Sequence, residues 1–211
     1  MNEKTETAIL IHGLWMHGVV LLPYQRWLRA EGFAVRRFSY PSRRVGLDDN
    51  VRLLSRFVSE TQGAVIHLVA HSLGGLVVLK MLSEAADQRI RRAILLGTPF
   101  AGCHVGSTLA RKPVLAQLIG RTFEDWFRLP RPVLPAAVEI GVVAGTRRIS
   151  LGRIVSGLAR PNDGLIAVEE THLATARDSI ALNVGHSGML ASRNCAGQVA
   201  SFLRTGNFIH V

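Results

Sequence analysis

The chain has 211 residues, 48% of them hydrophobic and 19% charged, which marks it as globular rather than wholly disordered and supplies material for one sizeable core. No apolar run approaches the roughly 18 residues that span a bilayer, and Cys103 and Cys195 lack the spacing of a disulfide framework or a zinc site. The net charge is +10, but the arginines occur in scattered pairs such as Arg36–Arg37, Arg43–Arg44 and Arg91–Arg92, a pattern that favours a solvated basic surface over a nucleic-acid or membrane patch. Thr7 to Ile11 reads as a first strand and is followed by a glycine-bounded loop, His12 to Gly18. Leu21 to Ala30 is predicted helical, with Pro23 in the first turn and Gly32 at the stop, and Phe33 to Phe38 is a second strand. A helix from about Leu47 to Gly63 presents Val51, Leu54 and Val58 to a core, with Asp48 and Asp49 at the positive end of its dipole. Ala64 to Val69 is a third strand, and Leu76 to Leu82 belongs to a helix that is apolar nearly all round. Arg92 to Gly97 is a fourth strand. Between Ala101 and about Pro135 the periodicity breaks up. That stretch holds Pro113, Pro130 and Pro132, amphipathic fragments around Leu115 to Ile119, and the aromatic group Phe123, Trp126 and Phe127. Residues 101–135 read as an insertion, a lid or cap. Val138 to Gly145 and Ser179 to Val184 complete the strands. The last helix, from about Gly188 to Leu203, carries the stripe Cys195, Val199, Phe202, Leu203.

Apolar strands alternating with helices specify a parallel sheet covered on both faces. The expectation is a single α/β domain over 1–211, three layers deep, with a minimal six-stranded and mostly parallel sheet. If strand one lies between strands two and three, the sheet has a switch point there, where ligands bind beyond the carboxyl ends of the strands. The His12-Gly13 loop and the end of strand three would then meet.

Strand three runs into Ala70-His71-Ser72-Leu73-Gly74, close to the G-x-S-x-G elbow that exposes a nucleophilic serine between strand and helix. A serine that merely caps a helix is the plain alternative. A serine hydroxyl needs a base, and the base needs an orienting acceptor. Of the eight histidines, His186 falls just beyond strand six, on the same sheet edge as Ser72. Asp163, in the turn Asn162-Asp163-Gly164, lies between strand five and His186; Glu169, Glu170 and Asp178 are its rivals. The backbone amides of Leu14 and Leu73 are candidates for an oxyanion hole. Trp15, Met16 and Phe100, together with Leu14 and the insertion's Trp126 and Phe127, are expected to wall an apolar substrate crevice.

The segments ILIHGLWMHG, VAHSLGGLV, LLGTPFAG, PNDGLIAV and NVGHSGML resemble the successive signatures of the α/β-hydrolase superfamily. The chain is similar in particular to small lipases and esterases of the bacterial lipase A-like and GPI inositol-deacylase-like groups. That resemblance implies an acyl-enzyme on Ser72, His186 as general base and then acid, Asp163 as its orienter, and neither metal nor cofactor. Ala70 stands where many members have glycine, and the family's two leading strands are missing. The expected function is hydrolysis of carboxylic esters with an apolar acyl group, on a small-molecule or lipid substrate. Thioesterase, acyltransferase and amidase activities use the same residues. A non-catalytic module for anionic lipid or nucleic acid is favoured only by the charge; nucleic acid is not an expected partner, and transient contact with a membrane surface stays open. The start MNEKTETA has no apolar leader, so the sequence as written reads as cytoplasmic.

Overall fold

The computed structural model describes residues 6–111, 120–148 and 157–210. Its strands are β1 (Thr7–Ile11), β2 (Ala34–Phe38), β3 (Ile66–His71), β4 (Ile90–Leu96), β5 (Glu139–Gly145) and β6 (Asp178–Leu182). They form one six-stranded sheet in the order β2-β1-β3-β4-β5-β6, and every pairing is parallel. β1 therefore does lie between β2 and β3, and the chain changes direction across the sheet at β1 and β3.

Six helices are described: α1 (Leu22–Ala30), α2 (Leu47–Ser59), α3 (Leu73–Ala85), α4 (His104–Ala110), α5 (Arg121–Arg128) and α6 (Arg193–Thr205). Strand alternation distributes them. Ile9, Ile11, Leu68 and Ala70 face the core beneath α2 and α3, whereas Ala8, Leu10, Val69 and Ile94 face α1 and α6. Both faces of the central strands are thus apolar, which is why those strands read as continuous hydrophobic runs. All four residues of the expected α6 stripe have no exposed surface. Burying side chains of this size contributes about 1.5–3 kcal/mol each, for the larger ones.

α6 begins later than expected. Ser187–Ala191 forms a short 3-10 turn, and the Ser192 hydroxyl then caps α6 by accepting from the Cys195 amide at 3.2 Å. Within the stretch 101–135, α5 is anchored rather than suspended. Asp125 Oδ2 accepts from the amide of Leu47, the first residue of α2, at 2.9 Å, and Asn50 Nδ2 donates to the Thr122 hydroxyl at 2.7 Å. Trp126 is 2% exposed and belongs to the α2–α3 core. Pro113 and the fragment Leu115 to Ile119 lie outside the described residues. Among the described residues, no helix is long and apolar enough to cross a membrane.

Candidate active site

Ser72 stands where β3 ends and α3 begins, with φ 54° and ψ −123°, a conformation that residues with a Cβ rarely adopt. Close packing imposes it. A Cβ on Gly74 would collide with the His12 carbonyl, and one on Gly75 would overlap the Thr98 side chain, so α3 starts directly against the ends of β1 and β4. The Ser72 hydroxyl is half-buried and does not cap α3. Among the described residues, only Trp15 shares positive φ (59°) without being glycine, and both border one cavity. Strain of this kind persists where the surroundings over-determine it, typically at functional sites.

Beside Ser72 is a buried carboxylate–imidazole pair. His186 Nδ1 donates to Asp163 Oδ2 at 2.7 Å, and the two residues are 4% and 1% exposed. The other carboxylate oxygen, Oδ1, accepts from the amides of Leu165 at 2.9 Å and Ile166 at 2.7 Å. The His186 amide donates to the Asp163 carbonyl at 3.0 Å, so backbone and side chain both fix the pair. With Nδ1 committed, Nε2 is the ring nitrogen left for the cavity. Gly97, at the end of β4 with φ 57°, leaves room for this arrangement: a Cβ there would lie 3.1 Å from His186 Nδ1 and 3.2 Å from Asp163 Oδ2.

Two more histidines shape the surroundings. His71 Nε2 donates to the His186 carbonyl at 3.0 Å, and its Nδ1 is buried without a partner. His12 donates from Nδ1 to the Gly13 carbonyl at 2.8 Å, accepts the Tyr40 amide at Nε2 at 3.2 Å, and stacks on the Tyr40 ring. Burial, and secondarily the neighbouring His186, pushes His71 from 6.5 down to about 3; burial also lowers His12. Both protonate more readily once the chain unfolds. The contribution of His71 to stability is full above the unfolded value near 6.5 and is lost as pH falls toward 3, and that of His12 is lost in the same direction. Denaturant midpoints measured across pH should be flat above neutrality and then fall on acidification. His71→Asn should flatten that fall by about one proton, or about 1.4 kcal/mol per pH unit.

The loop after β1 lies against the serine: a Cβ on Gly13 would sit 3.1 Å from Ser72 Cβ. Leu14 and Leu73 both line the cavity, and as the first residue of α3 Leu73 has an amide with no acceptor inside its helix. The rival acids are engaged elsewhere. Asp178 accepts from the Phe208 amide and from His210, Glu170 accepts from the amides of Ala167 and His104, and Glu169 borders a separate groove on the β5–β6 side.

The cavity has a volume of about 240 Å³ and is bordered by Ser72, His186, Trp15 and Met16. Phe100 is not among its walls, contrary to the expectation from sequence: it turns toward Trp126 and lies under the Arg131 guanidinium, while the neighbouring Pro99 faces the cavity. Trp126 and Phe127 are absent from the walls too. Their place is taken by Phe123, Val105 and Leu109 from α4 and α5, and by Leu165 and Ile166 beyond the Asp163 turn.

A model of the Alpha/beta hydrolase family matches residues 8–178. The chain belongs to that family. No curated protein matches this hydrolase in sequence. In fold it is similar to the Bacillus licheniformis lipase BlEst2 in mature form, with TM-score 0.79 and 16% identity over 96% of this chain and 92% of the other. It is similar also to the metagenomic carboxyl esterase MGS0156, with TM-score 0.70 and 17% identity over 88% of this chain and 66% of that one. A third is the carboxylesterase CesB from Bacillus subtilis, with TM-score 0.59 and 14% identity over 97% and 85%. At such identities the likeness is one of fold, and the chemistry of this hydrolase has to be argued from its own residues.

Proposed function

We propose that this hydrolase cleaves carboxylic esters of apolar acyl groups through an acyl-enzyme on Ser72. The observation that carries the reading is the buried Asp163–His186 pair on the cavity that a strained Ser72 borders. In the proposed reaction His186 Nε2 takes the hydroxyl proton as Ser72 Oγ attacks the ester carbonyl, and the tetrahedral oxyanion receives the amides of Leu14 and Leu73. His186 then gives its proton to the leaving alcohol. Water repeats the sequence against the acyl-enzyme, with His186 again as base and then acid. A positioned base of this kind contributes about 10²–10⁴ in rate, and each oxyanion donor about 10²–10³. No ring of charge greets the substrate: among the described residues lining the cavity there is no aspartate, glutamate, lysine or arginine, which supports a neutral acyl group. The two buried free thiols fit a reducing, cytoplasmic setting.

Thioesterase, acyltransferase and amidase readings use the same groups and differ in the bond cleaved or the acceptor. A direct comparison is kcat/KM for a butyrate ester, the matching thioester and the matching anilide. We expect the ester to lead; a leading thioester or anilide would move the assignment to that class. No turnover of any of the three, together with tight salt-sensitive binding to DNA or anionic liposomes, would support a basic binding module instead.

A further inference from the structure

The cavity beside Ser72 ends at a partition. On the α4 side its wall is made by Val105, Gly106 and Leu109, and Phe123 of α5 reaches in next to Gly106. Beyond the same two residues lies a second space of about 250 Å³ between α4 and α5, bordered by Ser107, Ala110, Glu124, Phe127 and Arg128. Gly106 and Phe123 are the residues common to both. The phenyl ring passes α4 where that helix has no side chain: a Cβ at position 106 would overlap Cζ and Cε1 of Phe123. Phe127 backs the ring from the outer side, with ring centroids 4.7 Å apart.

The two spaces differ in chemistry. The inner one has no charged side chain among its described walls. The outer one is rimmed by exposed Ser107 and Arg128 and by a Glu124–Arg128 ion pair at 3.7 Å, so it opens to water. The ring is therefore an apolar plug between the uncharged cavity beside Ser72 and an outer space rimmed by charge.

We propose that Phe123 sets the longest acyl chain this enzyme accepts. The proposal rests on the reading that the acyl group of a Ser72 ester enters the inner cavity. At about 240 Å³ that cavity lies below the roughly 300–1,000 Å³ of pockets that hold drug-sized ligands, which favours a short or medium chain over a long one. Longer chains must displace the ring or leave methylenes in water, and a misfitting methylene typically costs about 10–200-fold in kcat/KM.

The test is a series of nitrophenyl esters from butyrate to palmitate with wild type, Phe123→Ala and Phe123→Trp. The quantity read is kcat/KM for dodecanoate divided by that for butyrate, which does not depend on the fraction of protein folded. In Phe123→Ala the ratio should rise at least about tenfold, because the plug is gone and the chain can run into the outer space. In Phe123→Trp it should fall, because a larger ring shortens the cavity. An active wild type whose ratio neither variant moves would overturn the role of Phe123 alone. A wild type that turns over no ester and does not react with a fluorophosphonate would overturn the underlying hydrolase reading, and this proposal with it.

Discussion

Ser72→Ala is expected to lower kcat on a butyrate ester by about 10⁶ while KM and the melting temperature stay close to wild type. The size of the loss follows from the role assigned to Ser72 Oγ: without it no acyl-enzyme forms, and only oxyanion binding and proximity remain. The fold should be spared, because alanine keeps the Cβ that already tolerates φ 54° and the hydroxyl makes no cap bond to α3. Stopped-flow and steady-state kinetics, with thermal melts of both proteins, check the two halves. A loss of only tenfold would place the chemistry elsewhere.

Asp163→Asn is expected to lower kcat by about 10⁴. The imidazole tautomer decides it. Oδ1 of Asp163 is held by two donors, the amides of Leu165 and Ile166, so an asparagine at this position must place its carbonyl oxygen there. Its NH2 group is then turned toward His186 Nδ1, where a donor now stands in place of the acceptor at 2.7 Å. The imidazole has to carry its proton on Nε2 and is no longer a base toward Ser72. Since both amides remain bonded, the loop and the melting temperature should change little, whereas Asp163→Ala should also destabilise by releasing them. An Asp163→Asn enzyme with near wild-type kcat would remove Asp163 from the mechanism.

Much of this arrangement is legible in the sequence because strong local signals and tertiary demands coincide. β1 has the bounds its apolar run suggests, and α6 buries the stripe its spacing suggests. Ser72, Asp163 and His186 each follow or lie between recognisable strands, so a parallel topology is enough to bring them to one edge. Elsewhere the packing overrides the local pattern. β3 continues to His71, whose Nε2 donates to the carbonyl of the distant His186. α3 starts at Leu73, through two glycines that disfavour a helix by propensity yet are required by the contacts with His12 and Thr98. The walls of the cavity were the least legible part. α4 and α5 are short, and α5 is held by Asp125 and Thr122 reaching α2 across more than seventy residues of sequence. Nothing in the local pattern distinguishes Phe123, which faces the cavity, from Trp126, which fills the core, or from Phe100, which turns away from the site.

Covalent labelling tests most directly whether Ser72 is an activated nucleophile. Wild-type protein treated with a fluorophosphonate should gain the mass of one adduct, and digestion should place it on the peptide containing Ser72. His186→Ala should lose nearly all of that reactivity. Labelling at another residue, or no labelling of the folded wild-type protein, would contradict the account.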